Sequence, residues 1–137
     1  MYASNRRFKL AVVIVGLFTV VWMVSEGDLL CDVVLAASLL LVGLMAIARR
    51  WPWIRALSPG KTVALGAVGG LGYGMGLVLL SLFLMAVKTG LHAHGPEYTV
   101  YELVWVWNQL PLWAVAGSLV GLGIGLLAVA GRRTIGE

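Results

Sequence analysis

Apolar residues run through this chain in four long stretches, roughly 8–25, 29–48, 63–87 and 110–130, separated by short polar segments. About 20 residues at ~1.5 Å rise per residue cross a hydrocarbon layer of ~30 Å, so each stretch is long enough to span a bilayer once as a helix. The pattern predicts an all-α integral membrane protein, a single four-helix transmembrane domain covering residues 1–137, with an outer loop at 88–109. The first stretch follows Arg6, Arg7 and Lys9, as the apolar part of a signal peptide would. Val24-Ser25-Glu26-Gly27 offers no small-x-small cleavage site, and Leu30 before Cys31 lacks the small residue of a lipoprotein site. Residues 10–25 are therefore read as a retained helix.

Composition supports the membrane assignment. Of 137 residues, 61% are hydrophobic and 12% charged, where soluble domains carry about a quarter charged residues. A soluble core of this size could not bury so much apolar surface. Cys31 is the one cysteine, which excludes an internal disulfide and a thiolate cluster for zinc or iron–sulfur.

The net charge of +4 does not point to nucleic acid, because the cations flank the spans and form no basic stripe. Nine of the ten Lys/Arg fall on one side of a four-span topology: Arg6, Arg7 and Lys9, then Arg49, Arg50, Arg55 and Lys61, then Arg132 and Arg133. Lys88 alone falls on the other side, together with Glu26, Asp28, Asp32, Glu97 and Glu102. Cytoplasmic loops carry the Lys/Arg excess, so both termini and the 49–62 loop are expected inside, in a plasma membrane of bacterial (inner-membrane) type. The basic inner face suits anionic lipids.

Local signals refine the spans. Ser25, with Asp28 three residues on, reads as the N-cap of the second helix, and the connection is short enough to force a tight hairpin. Arg49-Arg50-Trp51-Pro52-Trp53-Ile54-Arg55 interleaves cations with tryptophans, a composition that anchors chain in the headgroup layer. Gly66, Gly70 and Gly74 in span three, and Gly117, Gly121 and Gly125 in span four, recur every four residues and give each helix a smooth face. Antiparallel packing of these two faces is the first expectation. The rival is that one face meets another subunit or a flat cofactor such as a quinone, with Gly69, Gly72, Gly76 and Gly123 adding small surface. In the outer loop, Thr99 and Glu102 have capping-box spacing after Pro96, and Tyr98, Tyr101, Trp105 and Trp107 suit a short interfacial helix. Pro111 fits the first turn of span four.

The most chemical-looking segment is Lys88 to Glu97. His92 and His94, with Glu97 three residues on, could present nitrogen and oxygen ligands to a divalent metal at the outer face, with Asp28, Asp32 and Glu102 nearby to complete the set. The simpler reading is a polar, glycine-bounded turn. Bis-histidine haem fits poorly, since both histidines share one loop. Asp32 lies within the apolar pattern of span two, where an ionisable group is expensive; one turn from the surface, it could reach headgroups or Lys88. The deep membrane otherwise holds Thr19, Ser38, Tyr73, Ser81 and Ser118 as its polar inventory, with no carboxylate for a proton-coupled pump. Gly60-Lys61-Thr62 lacks the first glycine of a phosphate-binding loop, which would fall at Arg55. No Ser/His/acid set, Gly-x-Ser-x-Gly or His-Glu-x-x-His occurs. The Cys-x-x-Cys of vitamin K epoxide reductase-like proteins, the intramembrane histidine pairs of cytochrome b561-like proteins and the mid-span glutamate of small multidrug transporters are also absent.

Ample packing surface with little polar chemistry favours a non-enzymatic accessory or structural subunit of a membrane complex, its partners being the bilayer and other membrane subunits or further copies of itself. Two alternatives from other classes are an outer-face metal- or cofactor-binding protein using His92, His94 and Glu97, and a small oligomeric channel or lipid facilitator.

Overall fold

The computed structural model describes residues 2–25, 28–91 and 97–133. Helix accounts for 92% of the structure, and there is no strand among the described residues. The elements are α1 (Tyr2–Val24), α2 (Leu29–Arg50), a 3₁₀ turn (Pro52–Ala56), α3 (Pro59–Leu91), α4 (Val100–Asn108) and α5 (Leu110–Arg133). Four helical stretches are long and apolar enough to cross a membrane, the fourth running through α4 and α5 from Val100 to Arg132.

The chain breaks where backbone donors run out or side chains offer them partners. Asp28, in extended conformation, caps α2 by accepting from the Leu30 N–H at 2.9 Å. This corrects the expectation for Ser25, which closes α1 instead of opening α2. Its N–H bonds the Val21 carbonyl at 3.1 Å, and its hydroxyl donates to the Trp22 carbonyl at 3.0 Å. Pro52 has no N–H to continue α2, and the chain turns into the 3₁₀ segment there. Pro59 then sits in the first turn of α3, where its missing donor is harmless.

At 33 residues α3 is the longest element, about 50 Å at ~1.5 Å per residue. It outruns the expected span at both ends. Thr62 bonds back to the Ser58 carbonyl through both its N–H (2.9 Å) and its hydroxyl (3.1 Å), which extends helix through Gly60-Lys61-Thr62. At the other end Lys88 is helical and fully buried, where a loop residue was expected.

A single residue, Gln109, separates α4 from α5. Pro111 removes a helical donor, and at the junction the Gln109 N–H bonds three residues back to the Val106 carbonyl at 3.1 Å. The start of α4 has the capping box read from the sequence: the Glu102 N–H donates to Thr99 Oγ1 (3.3 Å), and the Thr99 N–H donates to Glu102 Oε2 (2.7 Å). Thr99→Ala is expected to weaken this helix end by about 1 kcal/mol, read as faster amide exchange over residues 100–103; unchanged exchange would count against the cap.

Packing is centred on α3. Its closest partner is α5, α2 lies against another face, and α1 packs on α2. Among the described residues the main contacts thus form an open series α1–α2–α3–α5, without the strong α5-to-α1 contact that would close a bundle. One apolar cluster joins Trp22, Leu35, Ala36, Leu77 and Leu84 across α1, α2 and α3. A second joins Val78 and Met85 of α3 to Tyr98 and Val106, so α4 also lies against α3.

Candidate functional site

The polar groups of the described structure gather where α1 ends, α2 begins and α3 ends. Asp32 and Lys88 are both completely buried there, beside Trp22 and Tyr98. The Trp22 indole N–H donates to Asp32 Oδ1, a buried charge-assisted hydrogen bond from α1 to α2. The Lys88 ammonium lies 5.2 Å from the centre of the same indole ring and donates to Ser25 Oγ at 3.3 Å. Trp22 therefore touches both charges, the carboxylate with its edge and the cation with its face. That geometry follows the indole quadrupole, positive at the edge and negative over the face.

Tyr98 closes the cluster from the chain leading into α4. Burial, first, and then the adjacent Asp32 carboxylate hold its phenol well above the usual tyrosine range. The hydroxyl lies near Asp32, and among the described residues both it and Asp32 Oδ2 are buried without a hydrogen-bond partner. A buried hydroxyl that makes no bond contributes desolvation cost and nothing in return. Tyr98→Phe should accordingly be neutral or raise stability by up to about 1 kcal/mol; a clear loss in thermal unfolding would show that the hydroxyl is engaged.

The other candidate residues are distributed differently. Asp28 is exposed and occupied as the α2 cap, accepting also from the Cys31 thiol at 3.4 Å. Glu102 is held by Thr99 in the α4 cap. Glu97 is half-buried next to Tyr98. His92 and His94 lie outside the described residues, and among the described residues no three His, Cys, Asp or Glu side chains form a metal-holding group. Thr19, Ser38 and Ser81 donate to carbonyls one turn back in their own helices, and the Tyr73 hydroxyl donates across to the Ala37 carbonyl of α2 at 3.1 Å.

Gly66, Gly70 and Gly74 of α3 meet Gly117, Gly121, Gly125 and the Trp113 backbone of α5. A Cβ on Gly70 would stand 2.8 Å from the Gly117 carbonyl carbon and 3.0 Å from the Gly121 Cα, and one on Gly125 would stand 2.9 Å from the Val63 Cα. The backbones therefore touch directly. By contrast, Gly69, Gly72 and Gly123 have nothing within 4 Å of a Cβ position.

Beside this contact, α2 and α5 leave an apolar groove of about 560 Å³ whose floor is α3. Leu41, Leu44 and Ala48 form one wall, Trp113, Val120 and Ile124 the other, and Gly69, Gly70 and Tyr73 lie along the floor. The groove runs toward the end of the molecule where the cations collect. There Arg49 stacks over the Phe8 ring at 4.8 Å, Trp51 and Trp53 pack at 6.4 Å between centroids, and Arg132 donates to the Leu57 carbonyl at 2.9 Å.

Comparison with protein-family models, with curated proteins and with solved structures returns no match. The fold and its sites therefore define the class, a small helical protein with four stretches long and apolar enough to cross a membrane. Sequence reasoning singled out Asp32 and named Lys88 as a reachable partner, but it missed Trp22. The available signal was the position of Trp22 close to a very short turn, which puts it level with the first turn of α2. The groove left only a faint sign, Gly69, which falls outside the four-residue stripes.

Proposed function

We propose that the chain is a non-catalytic integral membrane protein acting as an accessory or structural subunit of a membrane complex. The observation that carries this reading is the open series of helices. The outward faces of α1 and α5, with Leu17 63% and Leu127 74% exposed, have no partner helix among the described residues. In lipid, such faces associate through close packing and not through the hydrophobic effect, and they are available to other subunits or to further copies. The polar groups support it from the other direction, since Asp28, Glu102, Thr19, Ser38 and Ser81 are all committed to caps or to their own helices. The test is the mass of the tagged protein extracted gently from its native membrane, with cross-linking before extraction. A complex well above the mass of one chain is expected; a monomer that cross-links to nothing overturns the reading.

The charge distribution supports both termini and the 3₁₀ turn lying in the cytoplasm, with α4 at the opposite surface. In a Cys31→Ser background, Ser58→Cys should be shielded from a membrane-impermeant thiol reagent in intact cells and Thr99→Cys labelled. The reverse pattern would invert the topology.

A further inference from the structure

The groove between α2 and α5 has a depth, a wall chemistry and a charged end that together select one kind of occupant. From Trp113 to Ile124 its α5 wall runs eleven residue steps, about 16 Å at ~1.5 Å per step. That matches one leaflet, half of the ~30 Å hydrocarbon layer. Its volume of about 560 Å³ lies within the ~300–1,000 Å³ of small-ligand clefts. On the floor the Tyr73 hydroxyl is bonded to the Ala37 carbonyl, and the rest of the lining is apolar apart from the Trp113 indole N–H at its far end.

The open end is different. Lys61 lies four residues before Leu65 on the groove-facing row of α3, and Arg132 lies two such steps beyond Ile124 on the matching row of α5. Both side chains are exposed, and Arg132 uses one of its five donors on the Leu57 carbonyl. Every described carboxylate, Asp28, Asp32, Glu97 and Glu102, is at the other end of the molecule. The groove is thus an apolar slot one leaflet deep, with cations at its mouth and, among the described residues, no carboxylate near them.

We propose that this groove seats an acyl chain of an anionic phospholipid, with the lipid phosphate held between Lys61 and Arg132. The apolar walls accept the chain, and the mouth supplies the counter-charge. Phosphatidylcholine carries the same phosphate, but its choline cation leaves no net negative charge for Lys61 and Arg132 to attract, and each cation near an anionic headgroup is worth about a fivefold change in binding.

The open position of Gly69 makes the test clean. A Cβ there meets nothing within 4 Å, so Gly69→Leu fills the groove without pressing on α5, while Gly72→Leu is equally unhindered and lies off the groove lining. The full-length protein in detergent is titrated with phosphatidylglycerol or with phosphatidylcholine of the same acyl chains, and bound lipid is counted by native mass spectrometry. One phosphatidylglycerol per chain is expected, retained at least tenfold better than phosphatidylcholine. Gly69→Leu should lose it, Gly72→Leu should keep it, and Lys61→Gln with Arg132→Gln should lower retention to the phosphatidylcholine level. Equal retention of the two lipids, an unaffected Gly69→Leu, or a lipid-free dimer that Gly69→Leu dissociates would each overturn the proposal.

Discussion

Gly70→Leu should prevent α3 from docking on α5 and leave no monodisperse folded protein. At this position the α5 backbone itself occupies the space a side chain would need, with the Gly117 carbonyl carbon and the Gly121 Cα within 3.0 Å of the Cβ position. No rotamer relieves that overlap, so the helices must separate along their whole contact. Separation is severe here because lipid tails are as apolar as the residues they would replace, and the helices are held by dispersion between closely fitted surfaces and not by exclusion from water. Gly70→Ala, which adds one methyl group, is expected to cost about 1–3 kcal/mol by overpacking. The control lies one residue away. Gly69→Ala meets nothing within 4 Å and should be neutral or slightly stabilising. Thermal unfolding in detergent, followed with size-exclusion chromatography, separates the two; similar behaviour of Gly70→Ala and Gly69→Ala would mean that the α3–α5 contact is not close.

The second large effect is expected at the buried charges. Asp32→Leu takes away the acceptor of the Trp22 N–H and removes a fully buried carboxylate from the cluster that also holds the fully buried Lys88 ammonium. Removing one member of a buried charged set typically costs about 3–5 kcal/mol, whereas replacing both by apolar groups is often close to neutral. Lys88→Met should likewise be strongly destabilising alone, and the double variant should be less damaged than the sum of the two. The coupling expected in the cycle is on the order of 0.5–3 kcal/mol. Trp22→Phe, which keeps the ring under Lys88 and loses the N–H, should fall between wild type and Asp32→Leu. Additive single effects would show that Asp32 and Lys88 do not act as one cluster.

These two predictions draw on features that were legible to different degrees. The α3–α5 pairing was written in the chain because a four-residue repeat of glycine leaves one face of a helix without side chains, whatever surrounds it. The capping box at Thr99 and Glu102 was legible for the same local reason. The cap of α2 was assigned to Ser25 because serine and aspartate both serve there, and the choice of Asp28 depends on where the α1 helix ends. The burial of Lys88 was not legible, since a lysine beside Thr89 and Gly90 resembles the start of a loop until Trp22 and Ser25 are seen to meet it.

By itself the sequence determined that the chain is helical, that it has four stretches able to cross a membrane, and that its charges divide between the two ends. Those properties follow from helix rise, apolar run length and local side-chain chemistry. Only the tertiary structure decided that the main packing forms an open series α1–α2–α3–α5, that one tryptophan contacts both Asp32 and Lys88, and that α2 and α5 stand apart over α3 to leave a groove. Each of these depends on the relative rotation and spacing of helices distant along the chain. Such contacts form between residues tens of positions apart, and no local pattern encodes them.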